Sequence, residues 1–143
     1  MELHELTADE LDLVEAARHI AEDHADGFVH TVGAAVRDAD GKVHGGINLF
    51  HFNGGPCAEL VAIATARTNG ARRLTTIVAV GHDQRGVLPP CGRDRQVLFD
   101  YHPGIRVILP TPDGLRSAPI EGLFPLSYRW APIEPDGSPA TAL

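Results

Sequence analysis

The sequence predicts an α/β domain built on a mixed sheet with helices on both faces. Three observations carry this. A T-x-x-E capping box at Thr7 and Glu10 opens a helix, and Leu11, Val14, Ala17 and Ile20 then recur at helical spacing. Two runs rich in β-branched and small apolar residues flank Asp38-Ala39-Asp40-Gly41, a hairpin turn signal. Beyond the hairpin, helical and apolar segments alternate, which is the pattern of strands joined by helical crossovers.

Taken in order, the first helix ends at Asp26-Gly27, and residues 28–37 and 42–49 form the two hairpin strands. A polar loop, His51-Phe52-Asn53-Gly54-Gly55, leads to a helix over 57–68. Ala58, Ala62, Ala64 and Ala66 let that helix approach a sheet or a second subunit closely, and Asn69-Gly70 stops it. Residues 74–81 are a near-continuous apolar run, as expected of a strand buried on both faces. A polar loop over 82–86 precedes a second helix over 91–101, ended by Pro103-Gly104. A short buried strand over 105–109, a turn over 111–114 and one helical turn over 120–124 follow. The folded domain is expected to span 1–131. Residues 132–143 are rich in Pro, Gly and Ser with little to bury, and are expected to be a mobile tail.

The chain has 143 residues, enough for one domain with a real core. Its formal charge is −7 and no run of Lys or Arg forms a basic stripe, which disfavours long nucleic acid as a partner but not a small nucleoside. No apolar stretch approaches the roughly 20 residues that cross a bilayer, so no membrane partner is expected. Glu2, Glu5, Asp9 and Glu10 stand where a secretory signal would be basic and then apolar. Two cysteines without secretory context are not a disulfide scaffold, and a reducing cytoplasm suits them as thiolates.

Two segments carry the chemistry: Gly54-Gly55-Pro56-Cys57-Ala58-Glu59 and Pro89-Pro90-Cys91-Gly92-Arg93-Asp94. Pro56 and Pro90 suit the first helical turn, which puts the only two cysteines at helix N-termini. There the helix dipole favours thiolate, the form that zinc binds. Glu59, two residues after Cys57, does not share its helix face and is free to act beside the metal. Asp94, three residues after Cys91, does share its face. Each cysteine alone would pass for a buried inert thiol, and Glu59 alone for an ordinary first-turn glutamate. Together the pattern C-x-E then P-C-x-x-D differs by two letters from the zinc-deaminase signature H-x-E then P-C-x-x-C.

On these segments, with Ile47-Asn48-Leu49-Phe50-His51-Phe52 before the first and Arg95-Gln96-Val97-Leu98 after the second, the chain resembles the cytidine deaminase family. Within it the resemblance is nearest to the branch that deaminates nucleoside antibiotics such as blasticidin S. Weaker echoes are Val32-Gly33-Ala34-Ala35 and Leu123-Phe124-Pro125 with Tyr128 and Trp130. The resemblance implies a three-layer α/β/α sandwich with a mixed sheet of about five strands. It implies a catalytic Zn2+ held by Cys57, Cys91 and Asp94, an open position for water, and Glu59 as the catalytic proton shuttle. The family has a cysteine where Asp94 stands. Either Asp94 ligates in its place, with unchanged ligand charge, or the centre is weakened. Arg93 or Arg95 can neutralise the anionic ligands.

For the substrate, the resemblance implies contacts from Asn48, Phe50, His30, Ala58, Tyr128 and Trp130, the last two often from a neighbouring subunit of a homotetramer or homodimer. Phe50 replaces the glutamate with which cytidine deaminases grip ribose, and His30 replaces a phenylalanine beside the base. Both argue against plain cytidine. Phe52 is expected to pack in the core, and His51 to lie close to the site. The expected activity is therefore zinc-dependent hydrolytic deamination of a 4-aminopyrimidine nucleoside or related antibiotic. Deamination of cytidine, deoxycytidine or another amino-heterocycle is the alternative, as is a catalytically weak nucleoside-binding protein should Asp94 fail as a ligand.

Overall fold

A computed structural model describes residues 1–130 together with Asp136 and Ser138. Ten elements follow in chain order. They are α1 (Ala8–His24), β1 (Val32–Asp38), β2 (Val43–Ile47), α2 (Ala58–Thr68), β3 (Leu74–Gly81), β4 (Gly86–Leu88), α3 (Gly92–Tyr101), β5 (Arg106–Thr111), β6 (Gly114–Pro119) and α4 (Ile120–Leu123). The expected tail over 132–143 lies outside the described residues, apart from Asp136 and Ser138.

The capping box at the first helix is present: Thr7 N–H donates to Glu10 at 2.9 Å, and Glu10 N–H to the Thr7 hydroxyl at 3.2 Å. The first strand begins at Val32 rather than at residue 28. Asp26 is the reason. Its Oδ1 accepts the backbone N–H groups of Phe28, Val29 and His30 at 2.8–2.9 Å, which winds that segment into a turn before it can pair.

The sheet is mixed and six-stranded, in the order β2-β1-β3-β5-β6, with β4 paired to the end of β3. The hairpin strands are antiparallel, while β3 and β5 run parallel across the α3 crossover. Two strands have no clear signal in the sequence. β4 is the return of a tight hairpin whose turn lies in the expected 82–86 loop, with Asp83 and Gln84 both at positive φ. β6, Gly-Leu-Arg-Ser-Ala-Pro, holds few strand formers and is recruited by pairing along β5.

Alternation along the central strands sorts side chains to the two faces. Ala35, Val78, Val80 and Ile108 meet Leu13 and Ala17 of α1. Ala34, Val36, Ile77, Ala79 and Val107 meet Ala58, Ala62 and Ala66 of α2 and Leu98 of α3. The result is the expected three layers: α1, sheet, then α2 with α3. Gly46 on β2 permits the close approach of α2, because a Cβ there would run into the Ala62 N–H and the Val61 backbone.

Candidate metal centre

Cys57 and Cys91 are the N-cap residues of α2 and α3, each with extended backbone. Pro56 and Pro90 therefore lie just outside the helices rather than in their first turns. The Pro56 carbonyl is engaged elsewhere, accepting the Leu49 N–H at 3.1 Å. Gly55 makes that fold-back feasible, since a Cβ there would collide with the Leu49 carbonyl. The loop is thereby pressed against the end of the hairpin, and Cys57 is delivered to the same corner as Cys91.

The two sulfurs lie 3.7 Å apart. One ligand atom each from Cys57, Cys91 and Asp94 falls within 4.8 Å of the others. Two thiolates about 2.3 Å from a tetrahedral zinc would stand about 3.8 Å apart, so the sulfur pair already has that spacing. Asp94 is 1 % exposed. Its Oδ2 accepts from the Cys91 N–H at 3.3 Å and from the Cys91 thiol at 3.2 Å. Its Oδ1 is buried with no hydrogen-bond partner. Two thiols at zinc-like spacing and a buried carboxylate oxygen to which no N–H or hydroxyl donates form a donor set that fits a divalent metal such as zinc.

Glu59 is 6 % exposed at the second turn-position of α2. Burial first, and then the charge of Asp94, push its carboxyl up to about 7. Two ionised carboxylates can only accept hydrogen bonds, so Glu59 and Asp94 associate only through a proton. Burial likewise pushes the Cys57 thiol up to about 11, against the lowering pull of Arg93. This corrects the expectation from the helix dipole alone: in the bare protein desolvation outweighs the helix start at Cys57, and the thiol keeps its proton.

Of the two flanking arginines, Arg93 faces the centre. It donates to the Gly55 carbonyl at 2.8 Å and to Cys57 Sγ at 3.5 Å. Arg95 instead ties back to the Pro90 carbonyl at 3.1 Å.

Asn48 is largely committed within the chain. Its Oδ1 accepts from Thr31 and Val32 N–H at 2.6 and 2.9 Å, and its amide donates to Thr31 Oγ1 at 3.1 Å. One amide N–H remains for a ligand. His30 Nδ1 donates to the Asn48 carbonyl at 2.6 Å, which leaves Nε2 as the acceptor of the neutral ring. Ala58 is buried at the start of α2. Phe50 is 63 % exposed. Phe52 is 90 % exposed against the expected core position, because its ring rests on His51 in the loop, centroids 4.5 Å apart.

Tyr128 and Trp130 lie exposed along α3. Their backbone is clipped to the helix: Gln96 donates to the Tyr128 carbonyl at 3.0 Å, and Trp130 N–H donates to Asp100 at 3.0 Å. Arg129 between them sits 4.2 Å over the Phe99 ring. This clip, built on the buried Asp100, was not legible in the sequence: its partners are some thirty positions apart, and no periodic pattern links them.

No protein-family model matches the chain. The blasticidin-S deaminase of Bacillus cereus is 32 % identical over 137 residues, covering 90 % of this chain and 98 % of that protein. A cytidine deaminase of Mycobacterium tuberculosis is 38 % identical over 84 residues, 57 % of this chain and 61 % of its own. Among solved structures, the cytidine deaminase from Burkholderia pseudomallei superposes with TM-score 0.69 at 30 % identity, covering 86 % of this chain and 100 % of that one. A variant of the Mycobacterium tuberculosis cytidine deaminase gives TM-score 0.74 at 26 % identity, covering 87 % and 98 %.

Proposed function

This chain belongs to the cytidine deaminase family, and from that premise we propose that it is a zinc-dependent hydrolytic deaminase of a 4-aminopyrimidine nucleoside or a related nucleoside antibiotic such as blasticidin S. The observation that carries the proposal is the convergence of Cys57, Cys91 and Asp94 within 4.8 Å, beside a buried Glu59.

Cys57, Cys91 and Asp94 would hold the zinc. A zinc ion there supplies Lewis acidity and brings the pKa of a water down to about 7. Glu59 does the proton work. With a carboxyl near 7, its Oε atoms can take one proton from water and give it to the ring nitrogen, then carry the second, from the added hydroxyl, to the amine as the C–N bond breaks. The exchange consumes one water and releases one ammonia. Arg93 offsets the anionic charge at Cys57. Ala58, at the opening of α2, borders the ring site, and the spare N–H of Asn48 and Nε2 of His30 suit a polar sugar-like ring. Phe50 offers that end an apolar face where a ribose-gripping acid would stand, which favours an antibiotic-type substrate over cytidine.

Tyr128 and Trp130 are proposed to close the pocket of a neighbouring copy, in a homotetramer or homodimer. The exposed Phe28, Phe50, Phe52, Leu126 and Tyr128 support such assembly. So does an apolar groove along α2 lined by Pro56, Leu60, Val61, Ala64, Thr65 and Thr68. No helix among the described residues is long and apolar enough to cross a membrane, and thiolate ligands suit the cytoplasm proposed as its location.

The test is elemental analysis of the purified protein for zinc, light scattering for mass, and ammonia release across a panel of aminopyrimidine nucleosides with blasticidin S included. Zinc with ammonia release upholds the function. Faster turnover of cytidine than of blasticidin S would reassign the substrate. Zinc-free protein that binds nucleosides without turnover would overturn the enzyme reading, and a monomer would overturn the assembly.

A further inference from the structure

Asp94 does not treat its two oxygens alike. Oδ2 folds back onto the Cys91 N–H, closing a capping box at the third position of α3. Oδ1 is fully enclosed and no N–H or hydroxyl donates to it, although it sits in the same corner as two sulfurs 3.7 Å apart; among neighbouring carboxyls, Glu59 reaches Asp94 through a shared proton. A buried carboxylate oxygen without an N–H or hydroxyl donor is costly unless a cation, or a proton shared with a neighbouring acid, satisfies it. A cysteine in this position could not divide its work in this way, because it has a single sulfur and a thiol is a weak acceptor.

We propose that Asp94 splits two duties between its oxygens, Oδ2 capping α3 whether or not metal is bound and Oδ1 serving as the third metal ligand, and that the centre is therefore harder and less cadmium-selective than a three-thiolate one. The proposal rests on the metal reading above but not on the substrate. It follows from ligand chemistry: total ligand charge equals that of three thiolates, while one soft donor is exchanged for a hard oxygen. It also gives the two states different anchors. The cap holds the start of α3 before metal arrives, so the site does not have to be built by the metal alone.

The experiment uses the full chain, stripped of metal, as wild type, Asp94→Asn and Asp94→Cys. Thermal midpoints are read without metal, and Zn2+ and Cd2+ affinities by chelator competition. Asp94→Asn keeps an oxygen for the Cys91 N–H, so its metal-free midpoint is expected within about 2 °C of wild type. Its zinc affinity should fall at least about tenfold, because a neutral amide is a poorer ligand. Asp94→Cys loses the cap, so its metal-free midpoint should fall by about 4 °C. Its preference for Cd2+ over Zn2+ should rise about tenfold or more relative to wild type.

Three results would overturn the proposal. Asp94→Asn binding zinc as wild type does would remove Oδ1 from the ligand set. Asp94→Asn melting as early as Asp94→Cys would remove the cap. An unchanged cadmium preference in Asp94→Cys would mean that the metal does not sense the third donor. None of these readings uses ammonia release, so a protein that turns over no nucleoside but shows the expected pattern would refute the proposed activity and uphold this division of duties.

Discussion

The starts of α2 and α3 look like copies of one device. Each has a proline, then a cysteine as N-cap, then a carboxylate in the first turn. They differ by one residue in spacing, and that difference sets what each acid can do. Asp94, three positions after its cysteine, can reach back to the N-cap N–H and lies beside the sulfur. Glu59, two positions after Cys57, cannot close such a box, and none is formed at the start of α2. One acid is thereby tied into the corner of the two sulfurs. The other is buried next to that corner with its carboxyl pushed up to about 7. The lesson is that a single step along a helix, about 100° of rotation, separates the proposed metal ligand from the proposed proton carrier.

The largest expected effect tests the acid on α2. Glu59→Gln should keep zinc at full stoichiometry and lower turnover about 10³-fold, which ammonia release beside elemental analysis will read. Wild-type turnover in that variant would erase the contrast between the two acids.

The cysteines should behave alike where the acids do not. Cys57→Ala and Cys91→Ala should each lose zinc under chelator competition by about 100-fold or more, with the metal-dependent part of the thermal midpoint lost as well. Full zinc in either would show that its helix start is not a ligand site.

The far ends of the same helices extend the comparison to pH. α2 closes on Asn69, whose amide meets His44 at 3.1 Å, and His44 in turn meets Asp38 at 2.8 Å. α3 closes on His102, where burial pushes the imidazole down to about 4. The folded protein keeps His102 neutral to about pH 4, while an unfolded chain protonates it near 6.5. Stability is thus fully present above pH 6.5 and is lost as pH falls toward 4, by about 3 kcal/mol. His102→Asn should flatten that part of a denaturation-versus-pH curve, and an unaltered slope would refute the assignment.

A smaller effect concerns the substrate end. Phe50→Glu should move the ratio of kcat/KM for cytidine over blasticidin S upward about tenfold, by restoring an acid for ribose hydroxyls. An unchanged ratio would take Phe50 out of the pocket.

Much of the centre was legible from residue spacing, because local geometry dictates it. The capping box at Thr7, the two cysteine-opened helices and the buried run over 74–81 each follow from a few neighbouring residues. Phe52 lies outside the core because hydrophobicity alone does not dictate whether a loop turns a ring inward. The residues before β1 stay out of the sheet because one side chain, Asp26, overrides strand propensity by capturing three backbone N–H groups.

By itself, then, the sequence determined which residues could be ligands and acid, and the order of helices and strands, since those depend on contacts within a turn or two. Only the tertiary structure decided which of Arg93 and Arg95 faces Cys57, that Asp94 keeps a free buried oxygen, and that β6 joins the sheet. It also decided that burial outweighs the helix start at the Cys57 thiol. The physical reason is common to all four. Each depends on what long-range packing places around an atom, which ones exclude water from it and which ones offer it a partner, and no local pattern in the chain encodes that.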